Sequence, residues 1–300
     1  MSSHLQFHTL DVFTEQRYGG NPLAVVLAAD GLNTRQMQTI AREFNLSETV
    51  FVLKPTAPGA DFKVRIFTPQ IEMPFAGHPT VGTACLLAEL GLAPQGDDVR
   101  FVLEENVGLV PVRVRRDAGR APYGELTTAV LPQRGPDAPS AAALATMLGL
   151  EEQDIGYAEQ AAALISCGVP YVLVPLRSPE LMAGISFDLP CWRQHLAGGW
   201  AHQVYVYARG YEGELRARMF APGAGVQEDP ATGSAAVALA GRLAMDAPEA
   251  DGCLAWTIHQ GLEMNRPSVL QIEADKQAGA VIAVRVGGHA VTVLSGTLPL

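Results

Sequence analysis

The feature that most constrains the fold of this chain is a pattern that occurs twice. Arg65-Ile66-Phe67-Thr68-Pro69 and Arg218-Met219-Phe220-Ala221-Pro222 share the form R-x-F-x-P. Each is soon followed by P-x-x-G-[ST]-A, first as Pro79-Thr80-Val81-Gly82-Thr83-Ala84 and then as Pro230-Ala231-Thr232-Gly233-Ser234-Ala235. Two weaker matches keep the same order: Gly20-Asn21-Pro22-Leu23 with Gly168-Val169-Pro170-Tyr171, and Thr49-Val50-Phe51-Val52 with Gln203-Val204-Tyr205-Val206. All four offsets lie between 148 and 154 residues. That period is too long for a solenoid repeat and predicts a duplicated lobe. A Pro- and Gly-rich stretch from Arg116 to Ser140 is the expected linker between the two copies.

Within each copy the pattern predicts short strands and one buried helix. Phe7–Phe13, Leu23–Leu27, Thr49–Leu53, Phe62–Phe67, Val99–Leu103 and Val110–Val114 are short and rich in β-branched or aromatic residues. Asn33–Glu43 predicts a helix opened by Asn33 or Thr34. Thr80–Leu90 and Ala231–Leu243 are small and apolar on every side, so each is expected to be buried inside a curled sheet. The fold class predicted is therefore α+β: two pseudo-symmetric lobes, each a mostly antiparallel, barrel-like sheet around a central helix.

Charge narrows the function. Net charge is -10, with 17% charged and 48% hydrophobic residues, which excludes disorder and argues against a nucleic-acid surface. The densest basic stretch, Arg113, Arg115, Arg116 and Arg120, alternates in part as on one strand face and is expected to be solvated. No segment reaches the ~18 apolar residues needed to cross a bilayer. The opening MSSHLQFHTLDVF lacks the marks of a signal peptide, so a soluble, cytoplasmic protein without membrane partners is expected. Cys85, Cys167, Cys191 and Cys253 are too widely spaced to suggest disulfides or a metal motif. Histidines are scattered, so no metal is expected, and neither common nucleotide-binding glycine pattern is present.

Three residues stand out as chemistry. Glu48 lies at the mouth of an apolar strand, where a carboxyl can exchange protons near neutrality, although pattern alone favours a solvent-facing glutamate at a loop end. His78 is wedged between Gly77 and Pro79 and is not expected to be a packing residue. Asp229 belongs to the polar turn before the second buried helix. Helix starts present N–H groups and partial positive charge, so these turns suit a small anion. Ordinary capping by Asp229 and Thr80 is the competing reading, and the turns alone leave both open. The repeat pairs Glu48 with His202, so a site here would be asymmetric.

On these residues the sequence resembles the PhzF-like (phenazine biosynthesis-like) proteins, relatives of diaminopimelate epimerase. The matching blocks are DVFTEQRYGGNPLAVVL at 11–27, SETVFVL at 47–53, FTPQIEMPFAGHPTVGTA at 67–84, EDPATGSAAVAL at 228–239 and HQGLEMNRPS at 259–268. The resemblance implies two lobes (residues 1–118 with 285–300, and 119–284), a site in the cleft between them, no cofactor, and a homodimer. It implies an isomerase moving a proton on a small carboxylate, as in the isomerisation of trans-2,3-dihydro-3-hydroxyanthranilate. Glu48 would be the general acid/base, with His78 and Asp229 as catalytic partners and Gly77, Gly233 and Ser234 binding substrate. A carboxylate-binding protein without turnover, or a different acid/base enzyme on a small cyclic acid, are the alternatives. The epimerase and racemase relatives carry a thiol in each helix-start loop. Here 74–78 and 229–233 contain no cysteine, which speaks against a two-thiol mechanism.

Overall fold

A computed structural model describes residues 4–157 and 160–299. The chain divides into two compact units, Met1–Ala129 with Arg285–Leu300, and Val130–Val284. The first contains β1 (His4–Val12), β2 (Asn21–Val26), α1 (Thr34–Phe44), β3 (Glu48–Leu53), β4 (Phe62–Phe67), β5 (Glu72–Met73), α2 (Gly77–Glu89), β6 (Asp98–Glu105), β7 (Gly108–Arg115) and β8 (Tyr123–Thr127). The second contains β9 (Gln133–Arg134), α3 (Ala141–Leu148), β10 (Ala163–Ser166), β11 (Pro170–Pro175), α4 (Leu189–His195), β12 (Gln203–Arg209), β13 (Leu215–Ala221), β14 (Val226–Asp229), α5 (Gly233–Asp246), β15 (Gly252–Gln260) and β16 (Ser268–Gln277). A final strand, β17 (Ala280–Pro299), returns to the first unit and pairs antiparallel with β1 and β8.

The two units repeat one strand plan. In the first, β2 runs parallel to β3, β3–β4 and β4–β5 are antiparallel, β4 is parallel to β6, and β6–β7 close an antiparallel hairpin. In the second, β11–β12, β12–β13, β13–β14, β13–β15 and β15–β16 follow the same sequence of directions. In both, the central helix follows the short strand β5 or β14. The repeat in the sequence is thus a repeat of topology. The expected linker is not wholly loop: β8 lies inside it and pairs with β7 and β17, so residues up to Ala129 stay with the first unit rather than ending at 118.

The shared R-x-F-x-P motif has a structural explanation. Arg65 lies over the Phe67 ring at 5.1 Å and grips Glu72 through two hydrogen bonds of 2.7 and 2.6 Å. Arg218 lies over Phe220 at 5.1 Å and grips Glu228 at 2.7 and 2.8 Å. Each arginine ties one strand to the short strand that feeds the central helix, and the fork geometry of guanidinium suits that task. Glu228 is therefore a structural partner of Arg218.

Both central helices are enclosed: Gly77 to Ala88 and Gly233 to Ala244 are buried without interruption. Val81, Leu86 and Leu87 are completely covered, each contributing roughly 1.5–3 kcal/mol of apolar transfer. By contrast, α1 is amphipathic and begins with a reciprocal capping box, in which Gln36 N donates to Asn33 Oδ1 and Asn33 N donates to Gln36 Oε1. The basic stretch is committed to local partners: Arg113 pairs with Asp98, Arg115 covers the Tyr123 ring and Arg120 pairs with Glu15. Among the described residues no helix is long and apolar enough to cross a membrane.

Gly20 sets the entry angle of β2. Its φ of +60° is left-handed, and a Cβ there would run into the Val12 carbonyl oxygen. Gly20→Ala is expected to cost about 3 kcal/mol through strain and overpacking together, read as a lower urea midpoint at unchanged slope. A loss below about 0.5 kcal/mol would contradict this account.

Candidate active site

In the first unit the start of β2, the start of β3 and the start of α2 bring Asn21, Glu48 and His78 together. His78, the second residue of α2, is only 3% exposed. Its Nδ1 accepts a hydrogen bond from Asn21 Nδ2 at 3.2 Å. Because an amide nitrogen only donates, the ring proton must sit on the other nitrogen. That nitrogen, Nε2, lies 3.3 Å from Glu48 Oε2. Burial pulls the imidazole down to about 3, so the ring is neutral at ordinary pH. The neutral ring thus packs against the Glu48 carboxylate, without hydrogen-bond geometry between Nε2 and Oε2, while 16% of the Glu48 side chain stays accessible.

This assignment has a direct check. A folded-state value depressed below 6.5 gives stability that is present above pH 6.5 and lost as pH falls through about 3. Ring 15N NMR is therefore expected to show His78 as the neutral Nε2–H form at pH 5. A ring titrating near 6.5, or one protonated on Nδ1, would overturn it.

In the second unit Asp229 ends β14 and is buried. Its Oδ2 accepts a 2.6 Å hydrogen bond from the Thr232 hydroxyl. Gln260, at the end of β15, anchors this turn: Nε2 donates to Asp229 O at 2.8 Å, and Oε1 accepts from Thr232 N at 3.2 Å and from the Tyr205 hydroxyl at 3.1 Å. Ser234, the second residue of α5, shares a 2.6 Å hydrogen bond with the buried Tyr171 hydroxyl.

The capping reading of the two turns does not hold. The residue before α2 is Ala76, the residue before α5 is Thr232, and neither helix start receives a side-chain cap. Thr80 sits within α2 and Asp229 engages the Thr232 hydroxyl instead. Backbone N–H groups at an uncapped, buried helix start are suited to an anionic group. Gly77 and Gly233 are the first residues of α2 and α5, and His78 and Ser234 the second.

That correspondence corrects the repeat. The P-x-x-G match aligns Pro79 with Pro230, but Pro79 lies inside α2 whereas Pro230 precedes α5. The strands correct a second pairing. Leu23 stands opposite Glu48, and Tyr171 stands opposite Gln203, so the counterpart of Glu48 is Gln203 and not His202. The asymmetry survives: one unit has a carboxylate, the other its uncharged isostere.

Asn21, Gln260, Tyr171 and Tyr205 do not stand out in the sequence as site residues. For Asn21 a signal exists, since the repeat pairs it with Val169, a polar-to-apolar change beside the Glu48 position. Gln260 falls in the HQGLEMNRPS block, but its polar partners are 28 to 55 positions away in sequence. Among the described residues no group of three or more His, Cys, Asp or Glu is disposed to hold a metal ion.

Comparison with known proteins agrees with this frame. The profile described as "Phenazine biosynthesis-like protein" matches residues 10–296. A protein of Mesorhizobium japonicum named an uncharacterized isomerase is 47% identical over 96% of each chain. A trans-2,3-dihydro-3-hydroxyanthranilate isomerase of Pseudomonas fluorescens is 36% identical over 97% of this chain and 98% of that one. The crystal structure of a Bacillus anthracis PhzF-family protein superposes with a TM-score of 0.87 at 26% identity, covering 99% of this chain and 100% of that one. Two lobes built on one topology, with uncapped central helices and a Glu–His pair in the first, define an epimerase-like α+β isomerase. The chain belongs to the phenazine biosynthesis-like family.

Proposed function

We propose that this isomerase moves a proton between carbon atoms of a small carboxylate, with Glu48 as the single acid/base group. The observation that carries this reading is the Glu48 carboxylate held 3.3 Å from the neutral His78 Nε2, itself oriented by Asn21. A carboxylate positioned against the His78 ring and still partly accessible can take a proton from carbon and return it elsewhere on the same face. His78 orients that carboxylate and assists the transfer. The N–H groups of Gly77 and His78, and those of Gly233 and Ser234, receive acidic groups of the substrate. Asp229, braced by Thr232, orients a polar substituent.

The thiols support a carboxylate rather than a sulfur base. Cys85 and Cys167 are buried, and burial pushes both thiols up, the second to about 12. Since relatives at 34% to 36% identity are named for trans-2,3-dihydro-3-hydroxyanthranilate, that compound is the first substrate to try. The test is proton NMR in D2O with this compound and a panel of small cyclic and acyclic carboxylates. Deuterium entering carbon, or an isomerised product, is expected with the wild type and not with Glu48→Gln. Equal exchange by both proteins would sink the proposal.

A further inference from the structure

Among the buried carboxyl groups that the reaction outlined above leaves unused is Glu105. Glu105 ends β6, is buried, and brings Oε1 to 2.6 Å from Thr80 Oγ1. The same hydroxyl lies 2.7 Å from the carbonyl oxygen of Ala76, the residue immediately before α2. A hydroxyl has one proton and a carbonyl has none to give. If Thr80 spent its proton on Glu105, the Ala76 carbonyl would face a lone pair at 2.7 Å. All three oxygens are satisfied when Thr80 donates to Ala76 and Glu105, as a carboxylic acid, donates to Thr80.

The second unit supplies an independent observation. Phe62 stands opposite Leu103 and Leu215 opposite Ile258, so two residues further on Glu105 and Gln260 occupy matching places. Gln260 holds Thr232, the residue immediately before α5, as Glu105 reaches Ala76 through Thr80. Glutamine is neutral at every pH, and a protonated glutamate is its nearest chemical likeness.

We propose that Glu105 is a positioning residue that braces the start of α2 in its protonated form, and that loss of its proton weakens the hold of Gly77 and His78 on the substrate carboxylate. This rests on the role given to those two residues under Proposed function. Ionisation would break the chain to Ala76 and set a negative charge against Thr80, in the same first turn of α2 whose N–H groups are meant to hold another negative charge. Burial raises Glu105 to about 8, opposed only by the Thr80 hydroxyl. Of the charged groups on the surrounding elements, Lys63 pairs with Glu104, Arg65 with Glu72 and Arg113 with Asp98, Arg115 lies over Tyr123, Asp11 accepts from the Tyr18 N–H, and Glu48 lies against His78. His78 is neutral, and Cys85 and Glu89 lie further along α2.

Two measurements on the full-length protein test this. In carboxyl 13C and amide 15N NMR of the wild type, the Glu105 carboxyl and the Gly77 and His78 amides are expected to shift together with a midpoint near pH 8. In Glu105→Gln the amides should stay still. A Glu105 carboxyl already ionised at pH 6 would overturn the proposal, as would amides that move equally in both proteins, and neither readout needs a substrate. For the carboxylate turned over in D2O, wild-type KM is expected to rise about tenfold from pH 7 to 9 as the competent fraction falls, with kcat within about twofold. In Glu105→Gln, KM should hold within about twofold over that range. A parallel rise in both would overturn the binding role, whereas absence of exchange at every pH counts against the proposed reaction and leaves the NMR titration to decide the protonation of Glu105.

Discussion

Glu48→Gln is expected to lower the rate of proton exchange into substrate by about 10²–10⁴-fold while leaving the fold intact. The magnitude is what a positioned general acid/base contributes, and the loss should appear in kcat. The chain contains its own control for the structural half of this claim. Gln203 occupies the Glu48 register position in the second unit and is buried there, so a glutamine is at home at the start of that parallel strand. Stabilities of the two proteins should therefore differ by less than about 1 kcal/mol. A variant that unfolds readily would show that Glu48 is part of the scaffold, and a variant that exchanges normally would remove it from the chemistry.

Arg218→Met should be the most damaging single change to stability, costing about 3–5 kcal/mol in urea unfolding. The side chains of Arg218 and Glu228 are 10% and 17% exposed, so removing one partner strands a nearly buried charge. The Met182 carbonyl also loses its 2.6 Å donor. The equivalent Arg65–Glu72 pair is more open, at 18% and 23%, and Arg65→Met should cost visibly less. Replacing Arg218 and Glu228 together with apolar residues of similar volume should recover most of the loss. If Arg65→Met proved the worse of the two, burial would not be the controlling factor. If the double replacement recovered nothing, the cost would lie in packing and in the Met182 contact.

The linear chain reveals some of these elements and hides others, for definite physical reasons. The strands at Phe62–Phe67 and Thr49–Leu53 are legible because β-branched and aromatic residues cluster there, and the observed strands agree to within a residue. Sequence pattern puts the start of α2 at Thr80, three residues late, because a helix apolar on every side offers no stripe from which to judge its phase. The wrong partner for Glu48 has the same origin. Runs such as Thr49-Val50-Phe51-Val52 and Val204-Tyr205-Val206 are buried along almost their whole length, and without alternation a shift of one residue leaves no trace in the sequence. Asn21 and Gln260 share the motif blocks with Glu48, His78 and Asp229, yet their roles, like that of Glu105, appear only through partners far along the chain.

The sequence by itself determined that one topological unit is used twice, that each unit buries an apolar helix, and that Glu48, His78 and Asp229 are the candidates for the chemistry. Those conclusions depend on local composition and on similarity, both of which survive in a linear string. The tertiary structure alone decided which nitrogen of His78 carries the proton, which residue answers Glu48 in the second unit, and that Glu105 sits where an ionised carboxyl is disfavoured. Each of these depends on hydrogen bonds or strand register between residues tens of positions apart, such as the 57 that separate Asn21 from His78. Protonation state follows from burial and partners, and neither exists until the chain has folded.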